Sequence, residues 1–120
     1  MNLKEAITKG IGAHGMWKQR LLEAIKSGQS EWSPVTVCKD DQCEFGKWLY
    51  SCSAQDKAST YFERVKSLHS EFHKEAAEVL RLALAGKKQE ATTAIAFDSN
   101  YGRVSSHFIR EMMNWQGKAA

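Results

Sequence analysis

The chain has 120 residues, a length that fits one compact domain, which we place at residues 1–120. Its content of 42% hydrophobic and 26% charged residues lies near the average of globular proteins and excludes a disordered tail. The formal net charge is +3, with basic residues scattered among acidic ones instead of forming a stripe, so we expect no nucleic-acid partner.

The first predicted helix runs from Asn2 to Ser27. Asn2 followed by Glu5 resembles an N-terminal capping arrangement, and Gly28 follows the last turn. His14 falls within a stripe of apolar residues at helical spacing, formed by Leu3, Ile7, Ile11, Leu21 and Ile25. We therefore expect the His14 side chain to face the core.

Residues 28–42, which include the only proline, break this pattern and predict a connecting loop. Residues 43–50 then predict two turns of helix, opened by Asp40 or Asp41 as the cap. Cys43 would lie in the first turn, where unpaired backbone N–H groups and the helix dipole favour its thiolate.

The next predicted helix begins at Ser53 and extends to Gly86. Its apolar stripe contains His69 and His73, which are spaced i, i+4 and therefore lie on one face of the helix. A weaker amphipathic pattern follows from residue 91 to residue 115, with an interruption at residues 98–102. The predicted fold is all-α, an antiparallel four-helix bundle with an additional short helix that carries Cys43.

Three histidines and one cysteine are thus predicted to face the core. Each buried polar group without a partner costs on the order of 1 to 3 kcal/mol, and a bound metal removes that cost. His14, Cys43, His69 and His73 form a His3Cys set, which suits tetrahedral zinc and leaves no open position for a substrate. Because no nucleophile, acid and base arrangement is recognisable either, we do not expect an enzyme.

Location and redox state follow from two further observations. No apolar run reaches about 18 residues, and the amino terminus lacks the basic and apolar regions of a secretory signal. We therefore expect no membrane span and a cytoplasmic location. The cysteine count is three, an odd number, which favours reduced thiols used in metal or redox chemistry.

Three motifs together resemble the chemoreceptor zinc-binding domain, a bacterial cytoplasmic module. They are His14 with Trp17, the segment Cys-Glu-Phe-Gly-Lys-Trp-Leu at residues 43–49, and His-Ser-Glu-Phe-His at residues 69–73. The resemblance covers about residues 1–116, and the Cys-x-Phe-Gly-x-Trp cluster is its most specific part.

The resemblance implies zinc held by His14, Cys43, His69 and His73, commonly in a homodimer. It also implies a regulatory role in chemoreceptors or diguanylate cyclases, where zinc occupancy or oxidation of the cysteine, notably by hypochlorous acid, changes the output. No signalling coiled coil or cyclase domain is recognisable after Gln116. We therefore expect either a free-standing form that acts on a partner protein in trans or a fragment.

Other polar residues and other classes of protein were weighed against this interpretation. Cys38 and Cys52 have no counterpart in the motif and are predicted bystanders, although a Cys38–Cys43 disulfide or metal clip is conceivable; His107 is predicted to be a surface or structural residue. A hemerythrin-like di-iron carrier needs about five histidines with bridging carboxylates, whereas the chain has four histidines and we expect no His-x-x-x-Glu pair in its helices. A purely structural zinc bundle that serves as a dimerisation or interaction module stays open as the alternative.

Overall fold

The computed structural model describes residues 2–118, and that range folds into eight helices without a strand. In chain order they are α1 (Leu3–Gly15), α2 (Trp17–Ser27), α3 (Pro34–Val37), α4 (Glu44–Tyr50), α5 (Ala54–Lys57), α6 (Thr60–Leu84), α7 (Lys88–Ala94) and α8 (Asn100–Lys118). The all-α prediction is confirmed. The ends of the predicted domain, residue 1 and residues 119–120, lie outside the described range.

The helices form four rows whose directions alternate. The first row is α1 with α2, the second is the segment from α3 to α5, the third is α6, and the fourth is α7 with α8. The Gln116 side-chain amide donates to the Thr8 hydroxyl at 2.7 Å, and the Phe72 ring lies 5.6 Å from that of Tyr101. Row four therefore runs antiparallel to rows one and three, as predicted for a bundle.

The second row runs back along the first. Near the start of this row, the ring centroid of Trp32 lies 5.1 Å from that of Trp17 in α2. Near its end, the ring centroid of Trp48 lies 5.7 Å from that of Trp115 in α8. The short helices in this row bring their side chains to α1 and α6 in the middle of the bundle. Residues 28–42, predicted as a loop, contain one turn of helix that starts at Pro34, because proline suits the first position of a helix.

Two predicted helices are interrupted in the structure. The first is divided into α1 and α2 at Met16, next to Gly15 and after two further glycines that weaken the helix. The third begins later than predicted, because Ser53 caps only the short α5, and Ser59 then caps α6 by accepting from the Tyr61 N–H. The predicted caps at Asn2 and Gly28 are confirmed.

The core lies between the four rows. Its members are apolar residues at helical spacing from every long helix, including Ile7, Leu21, Val65, Phe72, Val79, Leu80, Phe108 and Met112. Among residues 2–118, the buried polar residues are His14, His69 and His73. Within the described range, no helix combines the length and apolarity that a membrane crossing requires.

Candidate metal centre

The structure brings together the four residues predicted as zinc ligands. His14 in α1, Cys43 before α4, and His69 and His73 in α6 each offer one donor atom, and these four atoms all lie within 4.8 Å of one another. The three histidines are 0–3% exposed, and Cys43 is half-buried. Three rows of the bundle thus meet at one cluster of donors.

Backbone carbonyls orient two of the imidazole rings. The Nδ1 of His14 donates to the carbonyl of Gly10 at 2.7 Å, and the Nδ1 of His73 donates to the carbonyl of Val37 at 2.9 Å. A proton on Nδ1 leaves Nε2 with a free lone pair, and both Nε2 atoms point into the cluster. These carbonyls were not predicted from the sequence, because backbone acceptors carry no sequence signal.

His69 is held by packing rather than by a carbonyl. Its Nδ1 has no hydrogen-bond partner among the described residues, while its Nε2 lies 3.0 Å from that of His73. The ring lies against Gly46 of α4, where an added Cβ would come 3.1 Å from His69 Cε1 and would clash with the Asp40 carbonyl oxygen. A glycine at position 46 is therefore needed for α4 to approach this ring.

Cys43 has a different helical position from the one predicted. It is the N-cap of α4, and its Sγ accepts from the backbone N–H of Gly46 at 3.3 Å, so the predicted capping by Asp40 or Asp41 is wrong. Asp40 instead accepts a hydrogen bond from the Tyr50 hydroxyl at 2.8 Å. The thiol therefore caps the amino terminus of α4 and also faces the histidines.

Five of the six distances between donor atoms are close to the edges of a tetrahedral zinc site, and the sixth, between the donors of His14 and His69, is no more than 4.8 Å. With Zn–N bonds of about 2.05 Å and a Zn–S bond of about 2.3 Å, the edges of a tetrahedron are about 3.3 Å between nitrogens and about 3.6 Å between nitrogen and sulfur. Nε2 of His73 lies 3.4 Å from that of His14 and 3.0 Å from that of His69. Cys43 Sγ lies 3.2, 3.5 and 3.9 Å from the Nε2 atoms of His69, His73 and His14.

Electrostatics also favours a cation between these atoms. The Nε2 lone pairs of His14 and His73 face each other, which is repulsive unless a positive centre lies between them. Burial lowers the pKa of His14 to about 4 and that of His69 to about 2, so these imidazoles stay neutral and able to donate to a metal.

The Cys43 thiol behaves differently from the sequence prediction. Burial raises its pKa, and this effect outweighs the hydrogen bonds from the Gly46 and Phe45 N–H groups, which lower it. The helix N-terminus is therefore not sufficient to keep Cys43 ionised without a metal. A bound cation supplies the missing stabilisation of the thiolate.

Aromatic rings pack around the cluster. The ring centroids of Phe45, Phe72 and Phe108 lie 5.7, 5.3 and 5.1 Å from that of His14. Phe108 is the contribution of α8, which supplies no donor to the cluster. These rings limit the access of water to the centre.

A groove of about 470 Å³ lies beside the cluster and includes His14 and Cys43 among its lining residues. The rest of its wall is largely aromatic and basic, with Trp17, Trp32, Phe45, Trp48, Lys9 and Arg20. A small reagent in this groove would meet the half-buried sulfur before it met the two histidines of α6. Of the four donors, His14 and Cys43 line this groove, and Cys43 is the less buried of the two.

The remaining candidates lie outside the cluster. Cys38 is exposed and Cys52 is half-buried, and both are free thiols. His107 Nε2 lies 3.7 Å from Glu111 on the same helix, so the expectation of no His-x-x-x-Glu pair in the helices is wrong. No third donor joins this pair within residues 2–118, so the pair is not a second metal site.

The fold and the donor set define a zinc-binding helical bundle. A family model described as the chemoreceptor zinc-binding domain matches residues 14–80, a range that contains all four donors and more than half of the chain. The protein belongs to the chemoreceptor zinc-binding domain family, and it is a zinc-binding signalling domain with zinc as its cofactor. Comparisons with curated proteins and with solved structures found no match.

Proposed function

We propose that the protein is a regulatory domain in bacterial signalling, of the chemotaxis or cyclic-di-GMP type, that senses zinc, oxidants such as hypochlorous acid, or both. One observation carries this proposal: an oxidisable thiol, Cys43, belongs to the same four-donor cluster as three buried histidines. A metal-held thiolate is a nucleophile and also part of the fold, so its loss alters the structure.

His14, Cys43, His69 and His73 are the proposed ligands of the zinc ion. The tetrahedral edges and the neutral imidazoles described above support this assignment. Zinc, when bound, holds the sulfur as a thiolate and links three rows of the bundle. With four protein ligands the site has no open position, which agrees with a regulatory rather than a hydrolytic role.

The proposed chemical event is a two-electron oxidation of Cys43. The thiolate and hypochlorous acid give a sulfenic acid and a chloride ion, so the sulfur loses two electrons, the chlorine gains them, and the oxygen ends on the sulfur. The groove supports this step because the half-buried Cys43 lines it, whereas His69 and His73 do not. A sulfenic acid is a much weaker zinc ligand than a thiolate.

The α4 helix is the proposed element that transmits the event. Cys43 is its N-cap, so a change at the sulfur also removes the hydrogen bond to Gly46. The next residues pack against other rows, since Phe45 contacts Gly10 in α1 and Trp48 contacts Trp115 in α8. A shift of α4 would therefore alter the packing of both α1 and α8.

We propose a homodimer that acts on a signalling partner protein, in the cytoplasm. The family supports this assembly, and three free thiols suit a reducing compartment. Size measurement by light scattering, with and without zinc, tests the dimer. A monomer at all concentrations in the zinc-bound form would contradict it.

Zinc content and thiol state before and after a stoichiometric pulse of hypochlorous acid test the central proposal. We expect one zinc per chain in the reduced protein, release of zinc on oxidation, and weak zinc binding in Cys43→Ala. Cys52→Ala is the matched control, because Cys52 lies outside the donor cluster and should leave both results unchanged.

Two results would change the conclusion. Unchanged zinc affinity in Cys43→Ala would remove Cys43 from the ligand set. Zinc retained through the oxidant pulse, with Cys43 unmodified, would support the alternative function, a structural zinc bundle that serves as a dimerisation or interaction module.

A further inference from the structure

Cys38 is a thiol for which the zinc site has no use. It is exposed, it lies at the end of α3, and its Sγ contacts the carbonyl of Val35 at 3.1 Å. Four residues separate it from Cys43, the oxidisable member of the donor cluster. A sulfenic acid condenses readily with a nearby thiol, so the distance that this short loop imposes is chemically important.

Both ends of the loop contact the same imidazole ring, that of His73. The Val37 carbonyl, which shares a peptide bond with Cys38, accepts a hydrogen bond from Nδ1 of His73 at 2.9 Å. Cys43 Sγ lies 3.5 Å from Nε2 of that ring. The peptide group at Cys38 and the sulfur of Cys43 are therefore separated by one imidazole ring and by the contacts at its two nitrogens.

The loop between them contains no regular helix, and few hydrogen bonds hold it. Residues 38–43 form turns and bends, with the Lys39 N–H donating to Thr36 and the Asp40 carboxylate accepting from Tyr50. When the Cys38 side chain turns about its Cα–Cβ bond, Sγ loses one hydrogen bond, to the backbone carbonyl of Val35. The barrier to its approach is therefore small compared with that of a thiol within a helix.

Oxidation of Cys43 would move its sulfur away from the histidines. The four donor atoms lie within 4.8 Å of one another, and the Nε2 atoms of His69 and His73 are 3.0 Å apart, so an added oxygen on the sulfur has no space on the inner side. The oxidised sulfur would turn outward, toward the groove that Cys43 lines together with Gln42, the last residue of the loop before it.

We propose that Cys38 is the resolving cysteine of the site and forms an intrachain disulfide with Cys43 after oxidation. This inference rests on the proposed function, because it starts from Cys43 sulfenic acid produced by a two-electron oxidant such as hypochlorous acid. The Cys38 sulfur attacks the Cys43 sulfur, the S–S bond forms, the S–O bond breaks, and the hydroxyl leaves as water with the thiol proton. The two cysteines together lose two electrons to the oxidant.

The disulfide gives the switch a reversible end point. It withdraws Cys43 from the histidines and prevents further oxidation to the sulfinic acid, which thiols do not reduce. Cellular thiols cleave the disulfide and return both cysteines to the reduced form. With Cys38 present, oxidation of Cys43 therefore ends in a disulfide that thiols can reduce. Without Cys38, it continues to an irreversible sulfinic acid.

Trypsin separates the three cysteines, which makes the test direct. Cleavage after Lys26, Lys39, Lys47 and Lys57 places Cys38 in peptide 27–39, Cys43 in peptide 40–47 and Cys52 in peptide 48–57. The zinc-loaded protein is oxidised with a stoichiometric pulse of hypochlorous acid, its free thiols are alkylated, and the digest is analysed by mass spectrometry. We expect a cross-linked 27–39/40–47 pair and a decrease from three free thiols to one.

Two variants test the role of Cys38. In Cys38→Ser we expect no cross-link, trapping of Cys43 sulfenic acid by dimedone, and progression to sulfinic acid with zinc not regained on reduction. Cys52→Ser is the matched control and should form the cross-link as the parent does. Because Cys38 is exposed, its substitution leaves the folded protein and its zinc content intact, and circular dichroism with zinc analysis verifies this.

Three results would overturn the inference. Cys43 sulfenic acid that accumulates equally in the parent and in Cys38→Ser would exclude a resolving role while leaving the proposed function in place. A cross-link to Cys52, or one whose yield rises with protein concentration, would identify a different partner. No oxidation of Cys43 in any variant would contradict the proposed function itself.

Discussion

Protonation of single histidines is the main source of pH sensitivity at this centre. Burial lowers the pKa of His14 from 6.5 to about 4 and that of His69 to about 2, while the unfolded chain keeps the ordinary value of 6.5. At a pH between the pKa of a histidine in the folded protein and its pKa of 6.5 in the unfolded chain, the unfolded chain binds a proton that the folded protein does not. The free energy of unfolding therefore has its full value above pH 6.5 and falls as the pH decreases toward 4.

We predict this loss for the protein stripped of metal. Urea unfolding at a series of pH values across the window, in the presence of a chelator, should give a midpoint that falls steadily with acidification. His107→Gln is a suitable control, because His107 is half-exposed and lies outside the cluster, so the slope should persist. A midpoint that does not change across the window would mean that the histidines are not buried in the neutral form.

Two glycines control the approach of α4 to the rest of the molecule. A Cβ at Gly10 would come 2.5 Å from Phe45 Cδ1, and a Cβ at Gly46 would clash with the Asp40 backbone. Gly12, two residues before His14 in the same helix as Gly10, has nothing within 4 Å of an added Cβ. These positions differ in packing while sharing helical backbone, so they provide a matched comparison.

We predict opposite effects of alanine at these positions. Gly46→Ala should lower the free energy of unfolding by about 1–3 kcal/mol and weaken zinc binding, since backbone must move to admit the methyl group. Gly10→Ala should act in the same direction but less, because the Phe45 ring can turn. Gly12→Ala should raise stability by up to about 1 kcal/mol. Chemical unfolding and a zinc competition assay measure both quantities.

Equal stabilisation by all three substitutions would show that α4 is not packed closely against α1 and the cluster. Loss of zinc binding in Gly12→Ala would be equally inconsistent with the structure, because that position contacts neither the donors nor α4.

Much of this arrangement could be predicted from the helical stripes. His14, His69 and His73 lie on apolar faces, and that pattern correctly indicated burial. The sequence did not show that Cys43, rather than Asp40, would be the N-cap of α4. Both side chains can accept a hydrogen bond at the start of a helix, and the choice between them depends on tertiary contacts. The division at Met16 has the same origin, because glycines weaken a helix without fixing where it breaks.

The carbonyls that orient the rings lay beyond sequence reasoning for a different reason. Gly10 and Val37 contribute through the backbone, which is chemically the same at every position. Only the three-dimensional path of the chain shows which carbonyl meets which ring. The His107–Glu111 pair, in contrast, was readable from spacing and was missed.

At the scale of the whole molecule, the donors connect three of the four rows. His14 belongs to row one, Cys43 to row two, and His69 and His73 to row three, whereas row four contributes packing through Phe108. The second row contains only short helices and has little regular structure of its own. We therefore expect zinc bound by these donors to matter most for the attachment of this row to the bundle.

We predict that zinc removal loosens the molecule unevenly. Chelation should lower the melting temperature, because a ligand that binds only the folded state stabilises it in proportion to its occupancy. Hydrogen exchange should rise most in residues 34–57, next in α1, and least where α6 packs on α8. Mass-spectrometric exchange of the zinc-loaded and chelated forms measures this order. A uniform rise over all helices would mean that the metal supports the entire bundle equally.

The four tryptophans of the chain lie in two pairs, one on each side of the centre. Trp17 and Trp32 are 5.1 Å apart with Arg20 close to both rings, and Trp48 and Trp115 are 5.7 Å apart. Indole rings this close couple their electronic transitions, and each pair joins the second row to a different neighbour. Each tryptophan pair is therefore an intrinsic spectroscopic probe of one end of the second row. Separate changes in the near-ultraviolet circular dichroism of the two pairs would report which end of the row moves first.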